Sequence, residues 1–223
     1  MNLLQYSSII FDCDGVVLDS NRIKTEAFRI AAQPYGSAAA DALVAHHVAN
    51  GGVSRYKKFA TFLELILPEH APNAVAGQDG PDVEQLLMTY AKAVRTGLMT
   101  CAVADGLEAL RASTPHARWL IVSGGDQKEL RQIFAERGIA QLFDGGIFGS
   151  PDTKDQILAR EIESDTITKP ALFLGDSRYD YTAATAAGLD FAFVHGWTEL
   201  PEWNTFVTDE SIPSVAALLD LLT

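Results

Sequence analysis

Ser8-Ile9-Ile10-Phe11-Asp12-Cys13-Asp14-Gly15-Val16-Val17 is the stretch whose reading decides the fold. The run from Ser8 to Phe11 predicts a buried strand of a parallel sheet, and open α/β sheets bind ligands at the carboxyl ends of such strands. On extended backbone, residues two apart point the same way, so Asp12 and Asp14 share a side of the strand end. Two acids so placed repel each other unless a cation or a shared proton lies between them. That marks the pair as a chemical site. The plainer reading makes both aspartates turn-formers, with Gly15 supplying the bend, and the triplet alone does not separate the two.

Four further apolar runs predict buried strands, at residues 119–122, 146–148, 171–174 and 191–194. Helical patterns lie between and after them, at 127–137, 154–162, 179–187 and 215–222. Such alternation predicts an α/β fold, a doubly wound (Rossmann-like) parallel sheet. Residues 20–100 break the rhythm. They carry helix-like patterns around 22–32, 38–49, 54–67 and 83–97, no convincing strand, and a polar Pro/Gly-rich loop at 68–81. The expected division is an α/β core domain of residues 1–19 and 101–223 with an inserted all-helical domain over 20–100. Its hinges are expected at 19–21 and 100–105.

A chain of 223 residues, 48% hydrophobic, can build one core plus a smaller domain. Seventeen basic residues against 29 acidic give a net charge of −12, which repels a phosphate backbone and argues against nucleic acid as a partner. A local cationic pocket can still hold a small anion. Cys13 and Cys101 have no metal-ligand spacing and read as free thiols in a reducing compartment. There is no leader pattern and no apolar run of membrane-spanning length. If the sequence is complete, these features predict a soluble cytoplasmic protein, monomer or homodimer, without a membrane partner.

Three further segments carry candidate chemistry. Ser123-Gly124-Gly125-Asp126 follows the second predicted strand; a hydroxyl with glycine N–H groups at a helix start can hold an anion, although an ordinary helix cap reads the same way. Lys154 opens another helix, where the macrodipole disfavours a cation unless an anion is near; a solvated surface lysine is the plain alternative. Gly175-Asp176-Ser177-Arg178-Tyr179-Asp180 adds two acids after the fourth strand, of which Asp180 could merely favour the helix start. In a parallel sheet these strand ends share one edge, so three or four carboxylates would converge into a hard oxygen cage suited to Mg²⁺.

Together, in this order, the four segments resemble the haloacid dehalogenase-like hydrolase superfamily over most of the chain. The resemblance is strongest at Asp12-Cys13-Asp14-Gly15 and at 175–180, and looser at Ser123 and Lys154. It implies Asp12 as the nucleophile taking a phosphoryl group and Asp14 as general acid/base. It also implies Mg²⁺ held by Asp12, the Asp14 carbonyl and Asp176, with Asp180 acting directly or through water, and Ser123, Gly124 and Lys154 on the phosphoryl oxygens. In many relatives a proline follows the motif lysine. Here Asp155 does, and Lys169-Pro170 lies too close to Asp176, so Lys154 is preferred and Lys169 read as a loop cation. The insertion is similar to a mobile cap. Its Asn50-Gly51-Gly52-Val53-Ser54-Arg55 looks like the cap loop of β-phosphoglucomutases, making Arg55 a substrate-phosphate candidate and Lys58 a distant second; an exposed arginine on a helical face reads equally well. His46 and His47 read as ordinary helix residues, and Trp119, Phe173 and Phe191 as core. Trp197 and Trp203 are expected to pack the C-terminal segment.

The expected activity is that of a Mg²⁺-dependent phosphatase of a small phosphorylated metabolite, through an aspartyl-phosphate. A phosphosugar mutase is the alternative. A haloacid dehalogenase fits less well, since it lacks the second aspartate. A receiver domain would need only about half this length.

Overall fold

The computed structural model describes residues 1–222. Six parallel strands, β1 (Ser8–Phe11), β2 (Arg118–Asp126), β3 (Gly146–Ser150), β4 (Ala171–Gly175), β5 (Asp190–Val194) and β6 (Ser214–Val215), form one sheet in the order β3-β2-β1-β4-β5-β6. β1 is central, buried on both faces, as its unbroken apolar run requires. Alternation sends Ile9 and Phe11 into one apolar layer and Ile10 into the other. Phe11, Trp119, Phe143 and Phe134 pack ring to ring in the first layer.

Between β1 and β2 the chain forms α1 (Asn21–Ala32), α2 (Ser37–Ala49), α3 (Arg55–Thr61), α4 (Leu67–His70), α5 (Val83–Thr100) and α6 (Leu107–Ser113). A π-helical stretch, Phe62–Ile66, joins α3 to α4. α1 packs on α2 and α5, around Phe28, Phe59 and Tyr90, whose ring centroids lie 4.5–5.9 Å apart. The chain's exit from the sheet and its return run side by side: Asp19 N–H donates to Ala102 O and Ala104 N–H to Val17 O.

After β2 come α7 (Gln127–Glu136), α8 (Lys154–Glu163), α9 (Arg178–Ala186) and α10 (Trp203–Asp209). Leu158 of α8, Ala183 of α9 and Phe206 of α10 belong to the layer that holds Ile10.

Three local expectations are corrected. β2 runs on to Asp126, with a register shift after Val122, so Ser123–Gly125 lie in the strand and not in a loop after it. Residues 215–222 form no α-helix: Ser214–Val215 add an edge strand and Leu218–Leu222 a 3₁₀ turn. The reason is that β5 has N–H groups to satisfy, and Phe193, His195 and Gly196 donate to Pro213, Val215 and Ala216 carbonyls. Finally, α6 and α10 are short helices that the sequence reading does not name. Trp203 starts α10 and stacks on His195, while Trp197 packs on the other layer.

Candidate active site

Every candidate carboxylate is placed by a backbone device that the local sequence dictates. Pairing with β4 continues one residue past β1, because Asp12 N–H donates to Leu174 O at 2.9 Å. The chain then turns back sharply, Val17 and Leu18 N–H both meeting Cys13 O. Gly15 makes that turn at φ 75°, and a Cβ there would lie 2.1 Å from an Asp176 oxygen. Only glycine satisfies both the left-handed backbone and the approach. Asp176 follows the last residue of β4. Asp180 sits in the first turn of α9 as part of a capping box: Ser177 Oγ and N–H donate to Asp180 Oδ2 at 2.6 and 3.1 Å. Its cap role and its place at the cluster are therefore the same geometry.

The structure brings Asp12, Asp176 and Asp180 together. Each offers one oxygen, these oxygens lie within 4.8 Å of one another, and all three residues are buried. Lys154, at the first position of α8, reaches into the cluster: Nζ is 2.8 Å from Asp12 Oδ2 and also pairs with Asp180 Oδ1. Three carboxylates against one ammonium leave an excess of two negative charges. Burial pushes Asp12 up to about 7 against the opposing pull of Lys154, with Asp180 and Asp14 adding to the rise. Burial likewise lifts Asp176 well above the carboxylate range, helped by Asp180 and Asp12. Lys154 moves the other way; burial disfavours its charge, but Asp12 and Asp180 outweigh that and raise it. An all-oxygen set with two charges in excess fits a hard divalent cation.

Asp14 stands apart from this cluster. Its carboxylate accepts from Ser20 Oγ at 2.6 Å and Lys24 Nζ at 2.5 Å. Burial raises its proton affinity, yet the charge and hydrogen bond of Lys24, with Ser20, lower it overall. Of the phosphate-binding candidates, Ser123 is fully buried and its hydroxyl accepts the Gly125 N–H at 3.0 Å. Gly124 lines the cavity, and a Cβ there would come within 2.1 Å of Gly52 O. That glycine lets the 50–53 loop of the helical segment close onto β2. Arg55 lines the same cavity, but its guanidinium is held by Glu129 at 2.8 Å and lies 3.9 Å from Asp126. Tyr56 OH also donates to Asp126. Lys169 lies far from this machinery, its ammonium on Ala187 O.

Two wall residues, Asn21 and Lys24, escape the sequence reading, and two that it names prove to be buried. Asn21 donates to Asp176 Oδ2 at 2.7 Å and to Trp197 O at 2.9 Å. Lys24 shows only as one more helical lysine; its sole signal is a position four after Ser20, one turn along α1. Lys58 and His47 are buried against each other in the cavity wall, so neither is an ordinary surface residue. Burial, then the charges of Lys58 and Lys24, push His47 down to about 2.

Among the described residues no helix is long and apolar enough to cross a membrane. No curated protein matches the chain, but solved structures do. A predicted phosphoglycolate phosphatase from Haemophilus somnus 129pt has a TM-score of 0.74 at 18% identity, covering 99% of this chain and 98% of that one. A predicted phosphatase from Clostridium acetobutylicum gives 0.70 at 18%, covering 97% and 96%. A haloacid dehalogenase-like protein of unknown function from Agrobacterium tumefaciens gives 0.69 at 19%, covering 97% and 96%. At such identities the likeness speaks for the fold. Kinship comes from the family model for haloacid dehalogenase-like hydrolases, which matches residues 6–188. On that match the chain belongs to the haloacid dehalogenase-like hydrolases.

Proposed function

We propose that the protein is a Mg²⁺-dependent phosphatase of a small phosphorylated metabolite, with residues 20–100 acting as a helical cap over the site. The observation that carries this reading is the division of labour between two aspartates two residues apart. Asp12 lies in an acid-rich cluster with one lysine, while Asp14 is turned away onto its own lysine.

Asp12, Asp176 and Asp180, with the main-chain carbonyl of Asp14, would hold the cation. Bound there, Mg²⁺ supplies charge neutralisation and polarises phosphoryl oxygens. An Asp12 oxygen attacks phosphorus as the bond to the leaving oxygen breaks, giving an aspartyl-phosphate. The leaving oxygen takes its proton from Asp14. Asp14, now ionised, takes a proton from water, whose oxygen attacks phosphorus and frees Asp12 and inorganic phosphate. Lys24 and Ser20 favour the ionised form of Asp14, the form the second step needs. Lys154 offsets the repulsion between Asp12 and the incoming phosphoryl oxygens, the term on which phosphoryl transfer mainly depends. Ser123 and the N–H of Gly124 are assigned to the same oxygens, and Arg55 to holding the cap against α7 through Glu129.

The test is phosphate release across a panel of phosphorylated metabolites with Mg²⁺. Asp12→Asn is expected to lower turnover by about a thousandfold or more, and chelation to abolish it. Retained activity in Asp12→Asn would overturn the reading. Isomerisation stimulated by a bisphosphate, with little free phosphate, would move the assignment to a phosphosugar mutase.

A further inference from the structure

The cavity that opens on Asp12 and Asp14 measures about 340 Å³, the scale of a small-molecule site. Its other wall belongs to the helical segment and includes Phe28, His47, Arg55, Lys58 and Tyr90. The buried cations around it are matched unevenly. Lys24 holds Asp14, Lys154 holds Asp12 and Asp180, and Arg55 holds Glu129. Lys58 is 2% exposed, and among the described residues no carboxylate comes within ion-pair distance of it. Its Nζ lies 2.7 Å from His47 Nδ1, 3.4 Å from His47 O and 5.6 Å from the centroid of the Phe28 ring. Those partners orient an ammonium and supply no countercharge. One turn earlier on the same face of α3, Arg55 Nε is buried with no acceptor. On one helix face, therefore, Lys58 lacks an ion-pair partner and Arg55 Nε an acceptor.

A buried charge without a partner is costly, and such a group either loses its charge or finds a counter-ion. Burial first, and then the charge of Lys24, lower Lys58 to about 7, with Asp14 opposing and Lys154 adding to the fall. An anion beside Nζ acts in the opposite direction and completes the site.

We propose that Lys58 is the centre of a second anion subsite, which seats a carboxylate or second phosphate of a small substrate whose transferring phosphoryl group lies at Asp12. This rests on the phosphatase reading above. It narrows the substrate class to phosphorylated small acids or bisphosphates, and gives Lys58 a specificity role that Arg55, tied to Glu129, does not fill.

The experiment compares three probes in the wild-type protein with Mg²⁺: phosphoglycolate, ethylene glycol bisphosphate, and ethylene glycol monophosphate as the match without a second anion. At least one anion-bearing probe is expected to exceed the match by about tenfold in kcat/KM, chiefly through KM. Which of the two leads tells carboxylate from phosphate. In Lys58→Met that ratio should fall to near one, and Lys58→Arg should retain part of it. Calorimetry with phosphonoacetate against ethylphosphonate should show the same preference without turnover, and lose it in Lys58→Met. A wild-type ratio near one for both probes, or a ratio that Lys58→Met leaves intact, overturns the subsite. If none of the probes is hydrolysed, the phosphatase reading is what fails, and the calorimetric preference still decides the role of Lys58. Should Lys58→Met not fold, the wild-type ratios and Lys58→Arg decide it.

Discussion

Lys154, paired with Asp12 at the sheet edge, and Lys58, in the helical wall of the cavity, are both fully buried lysines, and they are balanced in opposite ways. Lys154 sits at the sheet edge beside three carboxylates, of which Asp12 and Asp180 raise its proton affinity despite burial. Lys58 sits in the helical wall beside a neutral imidazole, and burial with a neighbouring lysine pushes it down to about 7. The cavity is thus polarised, with acid in excess on the sheet side and an unmatched cation on the helical side. A ligand suited to both would bring a cation to the first and an anion to the second. A phosphorylated small acid entering with Mg²⁺ has that character.

The same substitution at the two lysines breaks this comparison most sharply. Lys154→Met removes the only ammonium that, among the described residues, pairs with Asp12 and Asp180 and leaves buried acid uncompensated. Unfolding in urea with chelator present should show a loss of about 3–5 kcal/mol, and phosphate release should fall by about a thousandfold. Lys58→Met removes a charge that forms no ion pair, so no paired acid is left behind and stability should hold or rise by about 1 kcal/mol. Lys58 has a folded proton affinity below its unfolded one, so its charge costs stability as pH falls from the unfolded value through about 7. The gain in Lys58→Met should accordingly be larger at pH 6 than at pH 9. Equal losses at both lysines would erase the distinction.

The acidic side makes its own pH prediction. Asp12 is raised from 3.8 to about 7 in the folded protein, and Asp176 is raised as well. A raised folded value means the folded state holds protons that the unfolded state has released. That stability is present below about pH 4 and lost as pH rises through about 7. Asp14 is lowered, so its contribution is lost only as pH falls below this window. With EDTA, the melting temperature should therefore drop by several degrees between about pH 5 and 8. Millimolar Mg²⁺ should restore it at pH 8 and change little at pH 5. A flat profile in EDTA would mean that the three oxygens do not share a charge burden.

The two sides of the cavity also differ in how far they can be read from sequence. The sheet side was legible because its residues follow strands: Asp12 and Asp176 come directly after apolar runs, and a parallel sheet must align those ends. Lys154 was legible by its awkward place at a helix start. The helical wall offers no such rule. Lys24, His47 and Lys58 have the spacing of any amphipathic helix, and only the packing of α1 on α2 and α5 turns them inward. Arg55 shows the limit most plainly: its motif suggests a substrate contact, and nothing in it foretells that Glu129, 74 residues on, takes its guanidinium. The C-terminal apolar run failed for a different reason. A short run fits strand and helix alike, and unsatisfied N–H groups on β5 decided for an edge strand.

A smaller effect is expected where the two sides touch. Gly124 on β2 accepts the approach of Gly52 O so closely that a Cβ would lie 2.1 Å away. Both partners there are backbone, so the contact cannot be relieved by a side-chain rotation. Gly124→Ala should push the 50–53 loop off the strand and cost about tenfold in kcat/KM through misplacement of the wall. Its circular dichroism should stay that of the wild type. Wild-type kinetics in Gly124→Ala would show that the loop's seat on β2 has no part in turnover.

The weakest link between the two sides is the pair of contacts on Asp126. Tyr56 OH donates to Asp126 Oδ2 at 2.7 Å, and Arg55 Nη2 lies 3.9 Å from the same oxygen. Tyr56 is 36% exposed, so water can replace the phenol as donor, and Tyr56→Phe should cost no more than about 1 kcal/mol in urea unfolding. Glu129 is the stronger anchor, because it meets an Arg55 side chain only 11% exposed at 2.8 Å. Glu129→Gln keeps the shape but removes the charge opposite Arg55, and should exceed Tyr56→Phe in both stability and KM. Removing that charge also frees the guanidinium to face the cavity, alongside Lys58 one turn further along the same face of α3. The ratio between anion-bearing and plain probes should therefore rise in Glu129→Gln while overall stability falls. A fall in both would mean that Arg55 contributes to the wall only by holding α3 against α7.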